Sequence, residues 1–79
     1  MYYVYLLKLN NADIYTGSTP NLKERLAEHE KGYVKSTQNL RPLKLIWYCA
    51  FPNRLNARRF ENYLKTGSGQ AFRNKRLVK

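Results

Sequence analysis

Six positions carry side chains, or the lack of one, that could do chemistry together: Tyr5, Tyr15, Gly17, Arg25, His29 and Glu61. Arg25 and His29 stand at i,i+4, so on a helix they share one face. Arginine presents a planar, permanently charged fork that suits a phosphate group. Histidine beside it could shuttle a proton or bond a phosphate oxygen. A surface arginine, with the histidine paired to a nearby carboxylate, would give the same spacing. Glu61 is the only acidic residue after Glu30. A lone carboxylate among cations suits a divalent ion whose other ligands are water and phosphate oxygens. It is equally placed to pair with Lys65 at i,i+4 and with Arg58 at i−3, and spacing alone leaves both roles open. Tyrosine is abundant, with seven in 79 residues. It brings area to a thin core and tolerates a wet edge. Most of Tyr2, Tyr3, Tyr33, Tyr48 and Tyr63 read as packing residues, with stacking on bases open to the others.

The elements that must position these groups follow from the pattern. Tyr2 to Leu9 is apolar on both faces and rich in aromatic and branched residues, which predicts a strand covered on both sides. Asn10-Asn11-Ala12-Asp13 is a turn cluster, and Ile14 to Gly17 reads as the second strand of a β-hairpin. If paired residues have numbers summing to an even value, such as Leu7 with Tyr15, then Tyr5 and Tyr15 lie on one face; the even register is expected. Thr19 as N-cap and Pro20 at the first helical position predict a helix from about Pro20 to Lys31, lined inside by Leu22 and Leu26 and stopped by Gly32. Tyr33 to Pro42 is a polar, basic connection. Leu43 to Phe51 reads as the strongest strand of the chain. Pro52 breaks it, and Asn53 caps a second helix from about Arg54 to Lys65 that turns Ala57, Phe60 and Leu64 inward. Gly67 and Gly69 flank a break before a short basic helix over Gln70 to Lys79. The order β-β-α-β-α-α predicts an α+β, sandwich-like fold: a three-stranded, mainly antiparallel sheet with helices packed over it.

Length suits a single domain over residues 1–79, with a thin core that removes about 60% of the unfolded surface from water. Fifteen Lys and Arg oppose five Asp and Glu, for a net charge of +10. The charge is uneven: Met1 to Glu30 holds three basic and four acidic residues, whereas Lys31 to Lys79 holds twelve basic and one acidic. Self-repulsion of that size disfavours the compact state unless a polyanion relieves it. Nucleic acid is the expected partner; an acidic protein or an anionic membrane surface is the alternative. With one cysteine and one histidine, the chain has too few ligands of those types for a structural zinc site and cannot close an internal disulfide. Cys49, inside the apolar run Leu45 to Phe51, reads as a buried, inert thiol. No basic region precedes the N-terminal apolar stretch, so a signal peptide is not expected. No apolar run approaches the length of about 18 residues that spans a membrane. The expected compartment is the cytoplasm, and the pattern carries no signal for an oligomeric state.

Read in order, Tyr3-Val4-Tyr5, Tyr15-Thr16-Gly17, Asn21-Leu22-x-x-Arg25-x-x-x-His29 and Ala57-x-x-x-Glu61 resemble the GIY-YIG nuclease superfamily. The likeness is to its small single-domain branch, related to the N-terminal nuclease domain of the bacterial excision-repair incision subunit. It runs from Tyr2 into the C-terminal basic segment. It implies a three-stranded antiparallel sheet flanked by helices and a metal-dependent DNA endonuclease, in repair or recombination, with RNA or branched nucleic acid as other substrates. By position it implies that Tyr15 assists deprotonation of the attacking water and that Tyr5 positions the phosphate or the water. Arg25 would stabilise phosphoryl charge, Glu61 would bind a single Mg²⁺ or Mn²⁺, and His29 would support. Tyrosine has an ordinary pKa near 10, which a nearby arginine and a metal ion lower by favouring the phenolate. Asn74 matches a late polar site residue. Arg25, Arg58, Lys65, Arg73, Lys75 and Arg76 join it as expected nucleic-acid contacts. Tyr3 and Thr16 depart from the usual glycine and isoleucine. Ser18 stands where some members carry a lysine, for which Lys23 or a C-terminal lysine could substitute. Two other readings stay open: a non-cleaving nucleic-acid-binding module of this fold, and a docking domain for acidic proteins.

Overall fold

A strand that is apolar on both faces has to be central, because only there are both faces covered. In a computed structural model describing residues 1–78, β1 (Tyr2–Lys8) is that strand. It lies between β2 (Ile14–Thr19) and β3 (Lys44–Phe51), antiparallel to both. Four consecutive residues, Val4 to Leu7, are buried. Their alternation divides the interior in two. Val4 and Leu6 pack with Ala57 and Leu64 of α2 (Arg54–Leu64). Tyr5 and Leu7 pack on the other face with Leu22 and Leu26 of α1 (Leu22–Glu30). The element order β-β-α-β-α-α is as expected.

Several boundaries differ from the expected ones. β2 runs two residues past Gly17, because Thr19 stays in the ladder opposite Tyr3. Thr19 therefore does not cap α1, and Pro20 is not helical. The Thr19 hydroxyl accepts from the Asn21 amide. Asn21 is the cap, accepting from the Glu24 amide while its own amide group donates to the Glu24 carboxylate, a reciprocal arrangement that satisfies the open first turn. β3 occupies the expected span and is the longest of the three strands, but none of its residues, Cys49 among them, is fully buried. Asn53 caps α2 as expected, through the Asn56 amide.

Gly67 and Gly69 do not flank a break; they open α3 (Gly67–Phe72), capped by the Thr66 hydroxyl. A side chain at Gly69 would collide with the Tyr63 carbonyl, so this glycine lets α3 start directly against the end of α2. The chain continues as a π-helical turn over Arg73–Leu77. Lys79, included in the expected last helix, lies outside the described residues. Tyr33, Tyr48 and Tyr63 are exposed, though the Tyr48 ring meets Tyr3 and the Tyr63 ring meets Phe60 and Phe72. Among the described residues no helix is long and apolar enough to cross a membrane.

Leu6 is fully buried in the central strand, whereas Leu55 is 59% exposed on α2. Leu6→Ala is expected to cost about 2–5 kcal/mol of unfolding free energy. Leu55→Ala should stay within about 0.5 kcal/mol of the parent. Urea denaturation of both variants checks the assignment of the core.

Candidate active site

The hairpin register pairs Leu7 with Tyr15 and Tyr5 with Gly17. This is the even-sum register, so Tyr5, Tyr15 and Gly17 share the face under α1. The missing side chain of Gly17 matters here. A Cβ at that position would lie 2.5 Å from the Tyr5 hydroxyl. The Tyr5 ring therefore lies across β2 at the level of Gly17.

There the hydroxyl meets His29, whose Nε2 is 2.9 Å away. On the other side of the imidazole, Nδ1 is 2.8 Å from Thr37 Oγ1. His29 and Thr37 are both fully buried. The Thr37 hydroxyl points to the Val34 carbonyl at 3.5 Å, and a carbonyl can only accept. This sets the direction of the chain: Thr37 donates to Val34, His29 Nδ1–H donates to Thr37, and Tyr5 donates to His29 Nε2. The tautomer is thus assigned from its partners. The Tyr15 ring packs edge-on against the imidazole, centroids 5.1 Å apart, and lies 6.3 Å from the Tyr5 ring.

Burial governs ionisation in this cluster. It pushes the Tyr5 hydroxyl up to about 12, against the opposing pull of Arg25. Tyr5 is therefore a neutral phenol at neutral pH. Burial also lowers the His29 pKa, helped by the Arg25 charge and opposed by Glu28. His29 is neutral, and its partners are two hydroxyls rather than a carboxylate.

Glu61 arrives from α2 on the opposite face. Its Oε1 accepts from the Ser18 hydroxyl at 2.5 Å, and its Oε2 pairs with Lys65 at 2.8 Å. Burial alone would raise its pKa. The hydrogen bonds from Lys65 and Ser18, with the charges of Lys65 and Arg58, outweigh burial and hold it below the usual carboxylate value. Glu61 is ionised. Arg25, paired with Glu28 at 3.3 Å, reaches in from α1.

Tyr5, Tyr15, Arg25 and Glu61 thereby line one cleft of about 300 Å³, together with Arg58 and Lys65. His29 does not line it; it sits behind Tyr5 as a buried support. Arg73, Asn74, Lys75 and Arg76 do not line it either. They occupy the π-helical turn, where the Arg73 Nε donates to the Asn74 side chain. The lysine in the cleft is Lys65, at the end of α2, rather than Lys23 or one from the C-terminal segment. Ser18 and Asn62, which line the cleft, and Thr37 behind it carried no expected role. Ser18 faces α2 because it pairs with Val4, which the hairpin register alone reveals. Thr37 sits in a polar loop, and nothing in its neighbourhood marks it.

A model of the GIY-YIG catalytic domain matches residues 1–76. This chain belongs to the GIY-YIG family. It is 39% identical over 66 residues to a UPF0213 protein of Clostridium perfringens, covering 82% of this chain and 71% of that one. A UPF0213 protein of Staphylococcus haemolyticus is 37% identical over 70 residues, covering 87% and 85%. The solution NMR structure of a UPF0213 protein from Bacillus halodurans superposes with a TM-score of 0.60 at 29% identity, over 95% of this chain and 84% of that one. The GIY-YIG fold is of nuclease type and implies nucleic-acid binding, which suits the basic cleft.

Glu61 is the group in the GIY-YIG cleft that could hold a metal ion. Among the described residues no three His, Cys, Asp or Glu side chains cluster. A single ionised carboxylate beside a hydroxyl fits a hard ion such as Mg²⁺, which keeps most of its water and takes phosphate oxygens from substrate. For that, Lys65 must release Oε2.

The pH response of the buried chain has a fixed sign. The folded-state pKa of His29 is below its unfolded value near 6.5, so below that pH the unfolded state binds more protons. The stability is whole above about pH 6.5 and declines as pH falls towards the folded value. His29→Gln is expected to flatten the drop in thermal midpoint measured between about pH 7.5 and 5.5. Thr37→Val leaves the His29 Nδ1–H buried without an acceptor, which should cost about 1–3 kcal/mol in urea denaturation.

Proposed function

We propose that this chain is a metal-dependent endonuclease that hydrolyses phosphodiester bonds in DNA. The observation that carries the reading is the convergence of Tyr5, Tyr15, Arg25 and Glu61 on one cleft in a chain of net charge +10.

The residues divide the work by their protonation. Tyr5 donates its hydrogen bond to His29, so its oxygen offers the cleft a lone pair. A lone pair suits a water molecule, which donates, and repels a phosphate oxygen. Tyr5 therefore aims the attacking water. Tyr15 stands beside it and takes the water's proton as the water oxygen bonds to phosphorus, passing its own hydroxyl proton to solvent. Arg25 spans the non-bridging oxygens and stabilises the charge that grows on them. Arg58 and Lys65 flank the phosphate. Glu61 would hold Mg²⁺ or Mn²⁺, which when bound supplies further neutralisation of the phosphate. Lys65 is exposed and on a flexible stem, so it can pass from Glu61 to a phosphate oxygen. The bond from phosphorus to the leaving oxygen breaks, and that oxygen takes up a proton from solvent.

One observation favours a second reading. Both oxygens of Glu61 already have partners within the fold, as they would in a module that binds nucleic acid without cutting it. A labelled panel of single-stranded, duplex, flapped and branched DNA separates the two. Cutting with Mg²⁺ or Mn²⁺ should vanish in EDTA and fall by about a hundredfold or more in Glu61→Ala and Tyr15→Phe. Cutting that survives in EDTA or in Glu61→Ala would overturn the mechanism. Salt-sensitive binding with no cutting, equal in all variants, would select the binding module.

A further inference from the structure

Three hollows lie in succession along the rim of the sheet. The cleft shares Ser18 and Arg58 with a second hollow of about 250 Å³, whose floor includes Thr19 and Arg54. This second hollow meets a groove of about 430 Å³ at Pro20. The groove is walled by Tyr3 and Tyr48 on the sheet and by Leu22, Lys23 and Leu26 on α1. It opens on the flank of α1 away from Arg25, so the nuclease chemistry does not use it.

Two features of this path lack a structural purpose. Tyr48 pairs with Tyr5 in the sheet, yet its side chain is not covered; it is 53% exposed. Its ring meets that of Tyr3 at 6.3 Å and 58°, a tilted corner rather than a closed stack. In addition, Lys23, Arg54 and Arg58 are exposed. None of the three joins either ion pair found among the described residues. Self-repulsion makes uncompensated cations costly, and a polyanion relieves that cost.

The order along the path is cationic cleft, cationic hollow, aromatic groove. A charged channel that follows a backbone and ends on an exposed aromatic ring is the arrangement that holds single strands, because every base has a ring face to stack and every phosphate a charge to neutralise. A blunt duplex keeps its bases inside the helix and cannot use the tyrosine. An acidic peptide would meet the cations but bring no flat ring to the groove.

We propose that this rim is a binding track for a single-stranded polynucleotide. An unpaired base stacks on Tyr48, and the phosphates between that base and the cleft lie on Arg54 and Arg58. The proposal deepens the nuclease reading and rests on it for the direction of the strand, which ends at the scissile phosphate. It narrows the substrate class to nucleic acid with an unpaired segment next to the cut: a single strand, a tail or a flap.

The test is fluorescence anisotropy in EDTA, where cleavage is silent. Short labelled single-stranded DNA, its RNA counterpart and a blunt DNA duplex are titrated against the parent, Tyr48→Ala, Tyr48→Phe and Arg54→Ala, with thermal melting as the folding control. Tyr48→Ala should weaken single-strand binding by roughly tenfold and leave the duplex unchanged, while Tyr48→Phe keeps its affinity. Arg54→Ala should weaken the single strand and reduce its salt dependence. An abasic position in the oligonucleotide should reproduce the loss in the parent and add nothing in Tyr48→Ala. Equal single-strand affinity of Tyr48→Ala and the parent overturns the track, as does an equal loss on the duplex. Because the readout needs no metal and no cutting, it is separable from the nuclease reading. Tyr48-dependent binding with no cleavage in any condition sinks only the nuclease, and cleavage with Tyr48-independent binding sinks only the track. A Tyr48 effect on one sugar type alone supports the track and names its substrate.

Discussion

The cleft depends on one close approach, the ring of Tyr5 over the bare backbone of Gly17. A strand that is apolar on both faces has no polar side to fix its register, since a slip of one residue would exchange one apolar face for the other. Size does what polarity cannot. A large ring must face a residue without a side chain, and only the observed register sets Tyr5 against Gly17. That pairing places Tyr15 beside Tyr5, carries the Tyr5 hydroxyl to His29, and turns Ser18 to the opposite face, where it meets Glu61. The geometry of the site is thus decided inside the hairpin, before either helix contributes.

Around that pairing the site separates into a neutral interior and a charged rim. Tyr5, His29 and Thr37 form a buried line of hydrogen bonds with no net charge, and burial keeps it so. Arg25, Arg58, Glu61 and Lys65 stand at the opening, where water screens them and three cations surround one carboxylate. The interior sets direction, and the rim sets affinity. Keeping ionised groups out of the core avoids the desolvation cost that a thin core of this kind could not offset.

The sequence showed the fold where hydropathy was unambiguous. The two-sided apolar run of β1 named the central strand, and Asn53 with Ala57, Phe60 and Leu64 named α2. It misled where two signals competed. Thr19-Pro20 looks like a helix start, but ladder pairing with Tyr3 held Thr19 in the strand and passed the cap to Asn21. Gly67 and Gly69 look like breakers, yet close packing on α2 made them the start of a helix. In the cleft, Tyr5, Tyr15, Arg25 and Glu61 were legible through their order along the chain. The basic residues of the C-terminal turn were grouped with them by charge alone, and charge carries no direction. Thr37 was invisible because its value lies in one hydrogen bond, formed across a loop whose path no local pattern encodes.

That loop has a consequence beyond the site. Connections on protein surfaces ordinarily vary in length from one relative to another. This one contains no strand or long helix, yet Thr37 is anchored against His29, eight positions earlier. The span between the end of α1 and Thr37 is therefore a fixed measure, like a stay cut to length. An insertion or deletion there would carry Thr37 away from the imidazole, so the least regular segment of the chain is held to length by a single hydrogen bond.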